Sequence, residues 1–422
     1  MKLNRQSVPV TGEGSAFESH TGHDDSPRRA VAVVGGKAMD TASSITLTTL
    51  AEALQSQHLR KVDVTVPVGK LRFDNSTFNL TDAPVAITED GVTDPNGLFI
   101  PTRVALEGIG RILGIPVSYL NHLSVAHADL FAHNVNTLAE RTEGKYLLRL
   151  LKSDNPDDAY GTLRAVLSDS YRAIDNFDVL MAVLTGLKNA GAMGSRINAD
   201  LTERRMIVRV QSDSVAVNAH ELVSGYRSPF NGKSGKDLPL VWAGFVVSNS
   251  EVGNGAFNIT PRGVFEVCEN GYTHSKDAMK KIHLGTKLDD GVVQWSDTTL
   301  AANLALVTSQ ATDAVGTFLS PDYWQKKVAA DAKEAGVPVD DAVETIDTVG
   351  RALGFSKDQR SNILNMFIKG GDTSAGGVMQ AVTAAARDES DGDVALDMEA
   401  NARKAMSLAA HPRTLARVAA EN

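Results

Sequence analysis

Residues 163–176, LRAVLSDSYRAIDN, decide how this chain reads. Leu163, Ala165 and Leu167 alternate with Arg164 and Val166, the period-two pattern of a half-buried strand. The alternation predicts that the three apolar residues share one core-facing side. Ser168-Asp169-Ser170 is turn chemistry, and Tyr171 and Arg172 then present an aromatic ring beside a guanidinium. Asp175 or Asn176 caps a helix predicted over 177–188. Asp175 and Asp178 fall in its first turn, where the helix dipole favours negative charge.

Working outward, KYLLRLLK (145–152) precedes the strand 162–168 across SDNPDDAYG, whose Asn-Pro, Asp and Gly predict a hairpin. Upstream, a helix is expected over 127–140. Residues 102–123 place Leu106, Ile109, Ile112 and Leu113 on one helical face before Gly114 and Pro116 interrupt it. Strands are expected at 62–68 and 98–100, and a short helix over 45–59. Downstream, strands are expected at 195–201, 205–211, 240–248 and 256–268 with no helix between consecutive members. That succession favours an antiparallel sheet. From 298 onward the pattern is helical, with caps signalled by Ser320-Pro321, Asp340, Ser356 with Gln359, and Thr373-Ser374. The predicted class is α+β: a largely antiparallel central sheet with flanking helices and an all-α C-terminal region. The expected organisation is a flexible N-terminal tail (1–40), an α+β core domain (41–297) and a helical region (298–422). The acidic run RDESDGDVALD, 387–397, reads as a solvated loop.

Composition narrows the functional classes. The net charge is −9, which argues against a strongly basic, non-specific nucleic-acid binder. Residues 141–300 nevertheless carry 19 basic and 19 acidic side chains, while both flanking parts are acidic, so an anion-binding face belongs in the middle if anywhere. The single cysteine, Cys268, allows no intrachain disulfide. The first residues show no apolar signal segment and no run long enough for a membrane helix, so a cytoplasmic protein without membrane partners is expected.

Several motifs invite chemistry. Neither Gly36-Lys37 nor Gly232-Lys233-Ser234 has the glycine spacing of a phosphate loop. The Gly-rich loop 225–237 still gathers Arg227, Lys233 and Lys236, either as a phosphate contact or as a solvated basic loop. Cys268, His274 and His283 are spaced unlike any common zinc site. His122, His127 and His133 lack the zincin glutamate. Asp169, Asp175, Asp178 and Glu251 lie near strand ends, where carboxylates cap helices and form turns or gather a metal. The 102–123 helix pair resembles a helix-turn-helix in outline, but its second helix carries almost no Arg or Lys for DNA. Tyr171 with Arg172 suits stacking on a base and touching a phosphate. It equally suits a Tyr packed beneath an Arg–carboxylate pair.

The succession LGIPVSYLNHL, LRAVLSDSYRAIDN, VVSNSEVGNGAF and VFEVCENGYTHS, with His283 beyond and TSAGGVMQAVTAAARD (373–388) near the end, resembles domain-of-unknown-function family 932. Members of that family are called phage/plasmid-like proteins. The resemblance runs in order over about residues 98–405, and it departs where Ser170 replaces a frequently basic position. It implies carriage on a mobile element and action inside a bacterial cell, and it supplies no established activity.

Together these readings lead to a non-enzymatic accessory protein of nucleic-acid transactions, with no cofactor or metal. It is expected to bind single-stranded DNA or RNA through Arg164, Tyr171, Arg172, Arg204, Arg205, Arg209, Arg227, Lys233 and Lys236. One alternative is a metal-dependent hydrolase or nuclease drawing on Asp169, Glu251, Cys268 and His283. Another is a protein that engages a host protein through its acidic helical C-terminus. Homo-oligomerisation is compatible with each.

Overall fold

Two sheets meet along a seam of buried charge in the computed structural model, which describes residues 42–88, 91–155, 157–171, 174–281 and 297–421. The expected tail at 1–40, Arg172 and His283 lie outside the described residues.

The first part of the chain runs β1 (Ala42–Ile45), α1 (Leu47–Arg60), β2 (Lys61–Pro67), β3 (Phe73–Asp74), β4 (Thr77–Leu80), β5 (Ala86–Thr88), β6 (Gly91–Thr93) and β7 (Gly97–Pro101). Helices α2 (Arg103–Leu113), α3 (Val117–Ala126) and α4 (Ala128–Glu140) follow, and then β8 (Lys145–Leu151) and β9 (Tyr160–Ser168). The smaller main sheet has the order β2-β8-β9-β7-β4-β3, antiparallel except for β7 beside β9. Strands β5 and β6 form a separate pair. Thr102 caps α2 by accepting from the Ala105 N–H, and Gly114 ends it in the left-handed region at φ 68°. Leu106, Ile109, Leu120, Phe131 and Val135 then pack on Leu148, Leu150, Leu163 and Val166. The 102–123 segment is therefore a helical hairpin covering a sheet.

The second part runs α5 (Asn176–Asn189), β10 (Arg196–Leu201), β11 (Met206–Asn218), α6 (His220–Val223), β12 (Leu240–Asn249), β13 (Phe257–Phe265), β14 (Gly271–Thr273) and β15 (Met279–Lys281). These build an antiparallel sheet of order β1-β10-β11-β12-β13-β14, with β15 also on β13. The chain continues as α7 (Asp297–Phe318), α8 (Pro321–Ala335), α9 (Ala342–Ala352), α10 (Lys357–Gly370), α11 (Ala375–Arg387), α12 (Gly392–Ala410) and α13 (Pro412–Glu421). An α+β class with a helical C-terminal region is what the sequence predicted. Ser356 and Gln359 form the expected capping box, while Asp341 rather than Asp340 caps α9.

The larger sheet has two unlike faces. On one, Val208, Val210, Phe245, Val247, Phe257 and Ile259 pack against α1, α5 and α7. Further along the same face, Val241, Ala243, Phe265 and Tyr272 pack under α8 and the later helices. On the opposite face Asn198, Asp200, Arg209, Gln211 and Arg262 project, and Ile207 and Val246 meet Leu396 of α12. The acidic run 387–397 corrects the expectation of a solvated loop. It contains the end of α11 and the first turns of α12, with Asp391 as the cap of α12.

One prediction about the opening segment is also corrected. On β8, Arg149 pairs with Ala165 and Leu150 with Leu163, so Arg164 is the extra residue of a β-bulge. The bulge shifts the alternation by one. Leu163 and Val166 therefore share the helix-covered core, while Ala165 and Leu167 join a small cluster with Val252 on the far side. Thr102 holds the bulge open: its hydroxyl donates to the Arg164 carbonyl at 2.8 Å.

Candidate functional site

Two polar regions gather most of the residues that the sequence singles out. The first is the seam between the sheets. Arg149 and Arg164 are 2 % and 4 % exposed, so their charges require partners. Arg149 donates to both Asp63 oxygens at 2.9 and 3.0 Å, to Asp175 Oδ1 at 2.8 Å and to the Glu251 carbonyl at 2.9 Å. Arg164 donates to Glu251 Oε2 at 2.5 Å. Lys61 completes the set on Asp175. Burial alone would depress the Arg149 guanidinium, but Asp63, Glu251 and Asp175 hold it above its ordinary value. Burial opposes ionisation of Asp175 too, yet Arg149 and Lys61 outweigh it and bring the carboxyl down to about 2. Glu251 is lowered in the same way by Arg164 and Arg149.

Asp175 stands at the cap position of α5, but its side chain caps nothing because it serves the arginine and lysine. Glu251 takes over, accepting the Asn176 N–H at 2.5 Å. Tyr171 donates its hydroxyl to the Ser250 carbonyl at 3.1 Å, and burial pushes it up to about 12. Within the opening segment, Arg164 and Tyr171 therefore act in structure: a charge clamp and a ring packed beside it. This region can hold two sheets together.

The second region is a cleft of about 820 Å³ on the polar face of the larger sheet. Its floor carries Arg196, Asn198, Arg209, Gln211 and Arg262, and its wall is the α11–α12 junction. Arg262 grips Glu399 with two hydrogen bonds of 2.8 and 2.9 Å. Arg209 pairs with Asp200 and lies 3.8 Å from Glu399. Gly271 makes room for this clamp: an added Cβ would lie 2.1 Å from the Arg262 guanidinium carbon.

At the rim, Arg387 lies 4.7 Å over the ring of Phe230, itself 39 % exposed, and donates to the Cys268 carbonyl at 2.5 Å. Phe230 belongs to the loop 225–237, which is tied to the same turn by Asn231 donating to the Val267 carbonyl. Arg227, Lys233 and Lys236 on that loop are exposed, with Arg227 bracing it through the Gly232 carbonyl at 2.7 Å. Arg196 is exposed at the other end of the cleft. Glu269, Asp388 and Glu389 also line it, so the local charge is mixed.

The predicted cations thus divide. Arg204 is forked onto Glu107, and Arg205 pairs with Asp393 and Asp397. Arg164 lies buried in the seam, and Arg209 lies on the cleft floor with its partners. Arg227, Lys233 and Lys236 remain at the surface. Arg196, Phe230 and Arg387 were missed by sequence reasoning. Phe230 sits inside the basic loop, the one signal that pointed to it.

The candidates for a metal do not converge. Glu251 is in the seam, Asp169 lies on an exposed turn, and Cys268 is buried against Gln380 with its thiol pushed up to about 12 by burial. His274 faces Asp331 at 3.2 Å. Among the described residues no three His, Cys, Asp or Glu side chains are grouped to hold a metal ion, and no helix is long and apolar enough to cross a membrane.

No family profile, curated protein or solved structure matches this chain.

Proposed function

We propose that the protein binds single-stranded nucleic acid without catalysing a reaction, along a track from the loop 225–237, over Arg387, into the cleft. The observation that carries the reading is the Arg387 guanidinium resting on exposed Phe230 at the edge of a loop with three exposed cations. A base stacks on a planar guanidinium or on an aromatic face with little regard to sequence, while phosphates seek nearby Lys and Arg. The resemblance to phage/plasmid-like proteins adds a context of mobile DNA inside a bacterial cell. Relative to the sequence reading, the binding set becomes Arg196, Arg227, Phe230, Lys233, Lys236 and Arg387. The seam residues are left as structure.

The acids beside the cleft and the net charge of −9 limit the affinity. Binding is expected on the order of 10⁻⁴–10⁻⁶ M, weakening steeply with salt because phosphate contacts release counterions. Fluorescence anisotropy of a labelled oligothymidylate at low and raised salt tests this. Replacing Lys233 and Lys236 by Ala is expected to lower affinity and flatten the salt dependence, and Phe230→Ala to lower affinity at all salts. No rise in anisotropy at about 100 µM protein in low salt removes the reading.

A further inference from the structure

We propose that α12 is a built-in competitor for this nucleic-acid face, its carboxylates occupying arginines that a phosphate backbone would otherwise reach. The inference rests on the binding reading above and assigns it a form of regulation.

The first two turns of α12 carry Asp393, Asp397 and Glu399, with no basic residue before Arg403. All three acids are turned to the larger sheet. Asp393 and Asp397, one helical turn apart, both meet Arg205 at 3.4 and 3.1 Å. Glu399 clamps Arg262 and approaches Arg209. Arg209 and Arg262 stand with Arg196 on the cleft floor, and Arg205 extends the positive charge at the β10–β11 turn, the far end of those strands. Between these acids Leu396 rests on Ile207 and Val246.

The other side of the helix is anchored differently. Met398, Ala402, Ala405 and Met406 are sunk in the core shared with α11. Competition therefore needs no unfolding of α12. Incoming phosphates exchange first with Asp397, whose side chain is 63 % exposed, and only then with the largely buried Asp393 and Glu399. The expected consequence is a binding face whose free energy is reduced by the helix laid across it. Ion pairs at or near the surface are worth little one by one, so the gain on removing the Asp393 and Asp397 charges is modest and measurable.

The test compares the full chain with the D393N/D397N variant by anisotropy on labelled oligothymidylate. A charge-matched control, E52Q/E344Q, removes two acids from α1 and α9. The α12 variant is expected to bind about three- to tenfold tighter, with a steeper salt dependence, and the control to change far less. Binding by the α12 variant where the parent shows none supports the proposal as well. If the parent binds and the α12 variant gains no more than the control, α12 is a strut alone, and the binding reading survives. If no form binds, both fall. Should D393N/D397N fail to fold by circular dichroism, D397N with a single-acid control reads the same question on an exposed side chain, with about a two- to threefold gain expected.

Discussion

Glu251 joins two tasks in one buried side chain: one oxygen accepts the first N–H of α5, and the other binds Arg164. Taking away its charge strands buried Arg164, while Arg149 keeps Asp63 and Asp175. E251Q is expected to lower the unfolding free energy by about 3–5 kcal/mol, read from urea midpoints. The double replacement R164M/E251L removes both charges, so it is expected to cost less than E251Q. A double variant as unstable as the sum of its singles contradicts the pairing. Acid provides a second measurement. Asp175 and Glu251 have folded pKa values below their ordinary values of 3.8 and 4.5. The unfolded chain therefore takes up protons first as pH falls. Their stabilisation is present in full above about pH 5 and is lost as pH drops through the folded values, toward about 2 for Asp175. Urea midpoints are expected to decline through that window, and D175N to remove part of the decline. A midpoint independent of pH down to about 2 would show that these carboxylates are not held by their partners.

At the level of elements, α2 offers a contest between propensity and packing. Ala is favoured over Gly in a helix by about 1 kcal/mol. At Gly108, however, an added Cβ would lie 2.5 Å from the Val166 carbonyl oxygen, a backbone atom of β9. G108A is expected to destabilise by about 1–3 kcal/mol, because helix and sheet must separate to admit the methyl group. Thermal unfolding measures it, and a rise in melting temperature would show that the helix rides loosely on the sheet. The strands and helices around this contact were legible because apolar residues repeat at two or at three to four positions and Gly, Pro and Asp mark the ends. The bulge at Arg164 was not. An inserted residue leaves no trace in the alternation of one strand, since it is defined by the partner's register. The acidic run 387–397 misled for a related reason. Asp393 and Asp397 read as solvated until Arg205 arrives from the β10–β11 turn, 192 positions before Asp397 in the sequence. The basic loop 225–237 was legible as a candidate, because glycines and cations together need no distant partner to be noticed. Arg387, which completes it, was not.

Across the molecule, the helical C-terminal part and the larger sheet share their cores rather than merely adjoin. Val307, Ala311 and Val315 of α7 lie against Phe245 and Ile259, and Trp324 of α8 lies with Val241 and Tyr272. A chain ending at residue 296 is expected to expose this apolar sheet face and to aggregate or bind a hydrophobic dye. A soluble fragment with a cooperative melt would show that the sheet is self-sufficient. The seam that joins the two sheets also has a timetable. Asn176 and Glu251 are 75 residues apart, and Arg149 and Glu251 are 102 apart. Synthesis at about 5–20 residues per second leaves Arg164 waiting several seconds for its acid, 87 residues on, to emerge. Until then Arg164 of the smaller sheet has no final home, and α5 has an unclaimed first turn. The nascent chain's last early commitment is therefore made by a loop between two late strands, and the first half of the protein closes only when the second half has begun.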